Sequence, residues 1–134
     1  MGAEENVKVV QGIYEAFGRG DVGHILDQLT DDIDWAVEYN GPAPWNGPRR
    51  GKAEVAAFFQ ALVDNSEVLE FTPLAFASND TDVMTVIHFE TRIPATGKSG
   101  AWDLHHWFRF SGDKVSFVRG TEDTLLVSRL LTKD

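Results

Sequence analysis

No cysteine occurs among the 134 residues, which removes disulfide frameworks, thiol nucleophiles and cysteine-ligated zinc together. Basic residues are scarce: 12 Lys+Arg stand against 21 Asp+Glu, a formal charge of −9, and only Arg49-Arg50 form a pair in the otherwise scattered set. A phosphate backbone is bound through clustered cations, so no nucleic-acid partner is expected. No apolar run approaches the ~18 residues of a membrane span. The opening stretch MGAEENVKVV is acidic, where a secretory signal is basic and then apolar. A cytoplasmic chain without a membrane partner is the expectation. What is present is 43% hydrophobic residues, with nine Phe and four Trp. That suffices for a single domain over residues 1–134 to build a core without staples.

Val7, Val10, Ile13, Tyr14 and Phe17 recur at helical spacing, and Gly18 and Gly20 supply the stop. Asp21 can cap a second helix carrying Val22, Ile25, Leu26 and Leu29, which closes at Thr30-Asp31-Asp32. Ile33, Trp35 and Val37 then alternate with polar neighbours as a short strand. Residues 39–50 hold three Pro and two Gly, so a loop with no sheet ladder is expected there, carrying an exposed Trp45. Val55, Phe58, Phe59, Leu62 and Val63 make the apolar side of a third helix. Segments 67–77, 82–93, 100–110 and 114–122 are rich in aromatic and β-branched residues and are separated by turn residues, which predicts an antiparallel meander. Asp123 or Thr124 caps a last helix.

This order reads as α+β, with helices on one face of a curved antiparallel sheet. In AWDLHHWFRF, Trp102, Leu104, His106, Phe108 and Phe110 share one face, and Asp103, His105, Trp107 and Arg109 the other. A second face that carries Trp107, with Met84 and Val86 alongside, predicts a covered surface. A homodimer through Trp107 and His105 is therefore expected.

The strings VVQGIYEAFGRGDVGHILDQLTDDIDW, GPRRGKAEVAAFFQAL and HHWFRFSGDKVSFVRG, with DTLL opening the last helix, resemble the nuclear transport factor 2-like superfamily. Within it they are similar to ketosteroid isomerases and SnoaL-like polyketide cyclases. The resemblance spans nearly the whole chain. It implies a cone-shaped, cystatin-like sheet with three N-terminal helices on its concave face, enclosing an apolar pocket. The superfamily hosts enzymes and plain binding proteins alike, so fold leaves function open. Carried over by position, the isomerase Tyr falls on Ile13, its proton-transferring Asp on Val37 and its protonated Asp on His106. The cyclase His matches His106, its helix-starting Asp matches Asp123 and its catalytic Asp falls on Gly120. The usual carboxylates are thus replaced by Val37 and Gly120, and Gly120 would open space in the pocket floor.

His106 and Glu122 are the candidate catalytic groups. An imidazole on the inner face can donate to a ligand oxygen or move a proton, or it can be a buried histidine satisfied by a neighbouring Tyr. Glu122 shares the parity of Val118 and Gly120; near the cavity mouth it is either an acid/base of raised pKa or a wet rim carboxylate. Tyr14, Trp35, Val37, Phe58, Phe59, Trp102, Leu104, Phe108, Val118 and Gly120 are the candidate ligand-binding residues, with core packing as the alternative for some of the aromatics. Trp45 could cap the cavity or pin its loop. His88, His105 and Asp103 could share a face, yet no metal string accompanies them, and no metal or cofactor is expected. Two readings follow. One is a pocket protein for a small apolar or polycyclic ligand, working as a cofactor-independent isomerase or cyclase. The other is a non-catalytic carrier, sensor or interaction module.

Overall fold

A computed structural model describes residues 2–134. The first helix, α1 (Ala3–Gly18), buries Val10, Ile13 and Tyr14 along one stripe. It ends where Gly20 takes φ +72°. The Asp21 N–H then reaches the Ala16 carbonyl at 2.8 Å and the Gly20 N–H reaches that of Phe17 at 3.1 Å, the bond pair that closes a helix through a left-handed residue. Asp21 next caps α2 (Val22–Asp27), accepting from the His24 N–H at 3.0 Å. α2 stops short of the expected Thr30–Asp32 boundary because the sheet has already captured the chain. The Val115 N–H donates to the Gln28 carbonyl, and Leu29 pairs with Val115.

The remaining elements are β1 (Leu29–Val37), β2 (Gly47–Arg50), α3 (Lys52–Asn65), β3 (Glu67–Ser78), β4 (Asp82–Ile93), β5 (Lys98–Ser111), β6 (Lys114–Thr121) and α4 (Thr124–Leu131). They form one curved, unclosed sheet in the order β2-β1-β6-β5-β4-β3. The expected meander is present, and β1 joins it through a parallel pairing with β6 while every other pair is antiparallel. Contrary to expectation, a ladder does run through the Pro/Gly segment: Pro48 sits in β2 opposite Ala36. β2 is an edge strand, where a residue without an N–H is tolerated. The opposite edge, β3, carries Pro73 beside a bulge.

α1 packs on β3 and β4, and α3 on β1 and β2, while α4 lies against β5. α3 buries Val55, Phe58, Phe59 and Leu62. Val63, expected on that side, is 71% exposed because it lies beyond the stripe that meets the sheet. Alternation in β5 is as read: Trp102, Leu104, Phe108 and Phe110 are buried, and Ala101, Asp103, His105 and Arg109 are exposed. Among the described residues, no helix is long and apolar enough to cross a membrane.

Candidate functional site

Between α1, α3 and the inner sheet face lies a cavity of about 70 Å³. Its walls are Ile13, Tyr14 and Phe17 of α1, Trp35 and Val37 of β1, Phe58, Phe59 and Leu62 of α3, and Leu104, His106 and Phe108 of β5, with Ile25, Trp45, Phe71, Phe89, Val118 and Glu122 completing it. Pockets for drug-sized ligands run to about 300–1,000 Å³. The space therefore suits a few waters or a small molecule, and a polycycle enters only if the lining moves. Among the described residues, three ionisable side chains, Tyr14, His106 and Glu122, reach it.

His106 sits at mid-strand in β5, opposite Gly120 of β6 and Thr85 of β4. Its Nδ1 lies 2.8 Å from the Tyr14 hydroxyl, which lies 2.7 Å from Thr85 Oγ1. The Tyr14 ring is wedged edge-on against Phe71 and Phe108, and its burial pushes the phenol pKa up. Burial first, and the charge of neighbouring His105 second, lower the His106 pKa from 6.5 to about 4. The folded protein thus keeps this imidazole neutral, whereas the unfolded chain protonates it near 6.5. The stability it confers is complete above about pH 6.5 and is lost as pH falls toward about 4. Over that interval, wild type should lose roughly 2–3 kcal/mol more than His106→Gln in urea unfolding. Parallel pH profiles of the two proteins would contradict this.

Glu122 lies two residues beyond Gly120 on the same strand parity. One carboxylate oxygen accepts from the Trp45 indole N–H at 2.9 Å, and the other, buried, has no partner among the described residues. Burial raises its pKa, partly offset by the Trp45 hydrogen bond and by the nearby Asn46 amide, and reinforced by Glu38. Two expectations change here. Trp45 is not exposed: at 1% exposure it is among the most buried side chains of the molecule and forms a wall of the cavity. Gly120 leaves no open floor, since a Cβ there would stand 3.1 Å from His106 Cδ2 and 3.2 Å from Val37 Cγ2, which already fill the space. Gly120→Ala should accordingly cost about 1 kcal/mol in urea unfolding, overpacking outweighing the gain in unfolded-chain entropy. A stabilised variant would show that His106 or Val37 yields freely.

Of the expected ligand-binding residues, Tyr14, Trp35, Val37, Phe58, Phe59, Leu104, Phe108 and Val118 do line the cavity. Trp102 does not; it is buried against Phe89 with ring centroids 5.2 Å apart. The structure adds Phe71 and Phe89 from β3 and β4, and Ile13 and Phe17 from the α1 stripe. Asp123 caps α4, accepting from the Leu126 N–H at 3.0 Å. On the outer face His88 Nδ1 pairs with Asp103 at 2.8 Å. Among the described residues no group of three or more His, Asp or Glu is placed to hold a metal ion.

Comparison with known proteins agrees with this architecture. The sequence profile of the SnoaL-like domain matches residues 10–118. An NTF2-like protein from Burkholderia xenovorans LB400 superposes with a TM-score of 0.89 at 28% identity, over 98% of this chain and 99% of its own. A candidate polyketide cyclase from Xanthomonas campestris pv. campestris gives a TM-score of 0.77 at 20% identity, over 97% and 98%. TerC, crystallised with polyporic acid, gives 0.84 at 19% identity, over 94% and 97%. No curated protein matches the chain in sequence.

Proposed function

The chain belongs to the SnoaL-like domain family, and on that premise we propose that it binds a small apolar ligand in the cavity between α1, α3 and the sheet and transforms it by cofactor-independent acid/base chemistry. One observation carries this reading: an apolar enclosure is lined by an imidazole that hydrogen-bonds through Nδ1 alone and by a carboxyl with one buried oxygen that has no partner among the described residues. His106 donates a hydrogen bond to a ligand oxygen. Glu122 exchanges a proton at the mouth. The surrounding aromatics orient the ligand by stacking and shape. Larger, ring-fused ligands fit if the Trp45 wall swings aside.

A non-catalytic carrier is the second reading. Its specific support is that the positions of the family's usual carboxylates hold Val37 and Gly120, with His106 packed against both. Titrating intrinsic tryptophan fluorescence with small cyclic and fused-ring ketones tests the pocket, because Trp35 and Trp45 line it. Saturable quenching by one class supports binding, and no response from any class removes both readings.

We further propose a homodimer through the outer sheet face. Trp107 lies edge-on to Phe117 at 4.8 Å, with Met84 49% exposed opposite it in β4 and His105 two positions along β5. Trp107→Arg should convert a dimer to monomer in sedimentation at micromolar concentration, and a monomeric wild type would contradict the proposal.

A further inference from the structure

The hydrogen bonds behind His106 run through two hydroxyls, and counting their hydrogens leaves one consistent arrangement. Thr85 is 3% exposed, and its hydroxyl meets a single partner among the described residues, the Tyr14 oxygen at 2.7 Å. Tyr14, 8% exposed, has one hydrogen and two neighbours, Thr85 Oγ1 and His106 Nδ1, the latter at 2.8 Å. If Tyr14 donated to Thr85, the Thr85 hydrogen would be buried without an acceptor, which costs the desolvation of that donor. If instead Thr85 donates to Tyr14 and Tyr14 donates to Nδ1, every buried hydroxyl hydrogen is used. Nδ1 is then an acceptor, and the ring's one hydrogen must sit on Nε2. Nε2 has no hydrogen-bond partner among the described residues and belongs to a side chain that lines the cavity.

From this count we infer that Tyr14, backed by Thr85, is a positioning residue that locks His106 in its Nε2–H tautomer, so that the cavity selects ligands presenting an acceptor oxygen, such as a ketone, at that nitrogen. The inference deepens the proposed pocket function and rests on it for the ligand. Tyr14 has committed its hydrogen to His106, so it acts through the imidazole and is not itself the ligand's donor. In the neutral ring Nε2 carries a hydrogen and cannot serve as the general base. Proton acceptance falls to Glu122. A second unmet donor points the same way: Trp35 also lines the cavity, is 5% exposed, and its indole N–H has no acceptor among the described residues.

Proton–nitrogen correlation spectra of the isotope-labelled, ligand-free protein near neutral pH test the tautomer without a variant or a ligand. The expected result is a proton-bearing Nε2 and an unprotonated, acceptor-type Nδ1 in wild type, with both nitrogens moving toward averaged values in Tyr14→Phe. A proton on Nδ1 in wild type, or an unchanged spectrum in Tyr14→Phe, overturns the positioning role. For selectivity, cyclopentanone and its near-isostere methylenecyclopentane are titrated against wild type and His106→Leu. The ketone-to-alkene affinity ratio should fall roughly 3- to 10-fold in the variant, the usual worth of one neutral hydrogen bond. An unchanged ratio overturns the selectivity. If neither probe binds, the pocket reading fails and the selectivity with it, while the spectrum still decides the tautomer.

Discussion

Replacing Trp45 by alanine should lower the stability of the protein by about 3–5 kcal/mol, the cost of deleting a fully buried aromatic from a packed site. Domains of this size have about 5–15 kcal/mol in all, so the loss reads as a fall of roughly 10–20 °C in melting temperature. Trp45 is 1% exposed, walls the cavity and donates to Glu122 at 2.9 Å. The same truncation should widen the cavity and let larger rings bind, a gain in affinity accompanying the loss of stability. Trp45→Phe separates the two roles. It keeps most of the bulk and removes the indole donor, so the fall should be smaller while the Glu122 pKa rises further, because a hydrogen bond that favoured the carboxylate is gone. A Trp45→Ala protein that melts within a few degrees of wild type would mean that the 38–46 loop collapses to fill the gap.

The second large effect concerns turnover. Under the catalytic reading, His106→Ala and Glu122→Gln should each lower kcat by about 100- to 10,000-fold, with ligand affinity changing by roughly 10-fold or less. The asymmetry follows from geometry. The enclosure is made mostly of side chains such as Phe58, Phe59, Leu104 and Phe108, which neither variant touches. Affinity resides mainly in them, and chemistry in two polar groups. Equal losses in affinity and rate would assign His106 and Glu122 to binding, which is the carrier reading. Glu122→Gln is the cleaner variant of the two, since it preserves shape and still offers an oxygen to the Trp45 N–H.

Much of this arrangement is legible in the sequence, and the parts that are not share a cause. The α1 stripe, the Gly20 stop, the Asp21 cap and the four meander strands follow from local periodicity and turn chemistry. Alternation in β5 alone puts His106 on the inner face, and parity with Val118 and Gly120 puts Glu122 on the same face. The misses arise where local pattern carries no information about tertiary neighbours. Trp45 lies in a segment without periodicity, so nothing local signals that it turns inward. Phe71 and Phe76 are an odd number of residues apart and should face oppositely, yet both rings meet Tyr14, because a bulge between Pro73 and Ala75 shifts the phase. Trp102 shares the correct face but sits against Phe89, away from the free space. Gly120 reads as a vacancy in the sequence and is a contact in three dimensions, since the His106 ring and the Val37 methyl move into the room a side chain would need.

The central claim is that the inner cavity is a ligand site, and methyl NMR of the ligand-bound protein tests it most directly. With a ketone that quenches tryptophan fluorescence added to saturation, shifts should concentrate on the methyl groups of Ile13, Val37, Leu62, Leu104 and Val118, which line the cavity. The exposed methyls of Met84 on the outer face and of Leu74 at the β3 bulge, 49% and 56% exposed, should stay in place. Shifts confined to Leu74 and Met84, with the inner methyls unmoved, would contradict the account and assign binding to the exposed surface.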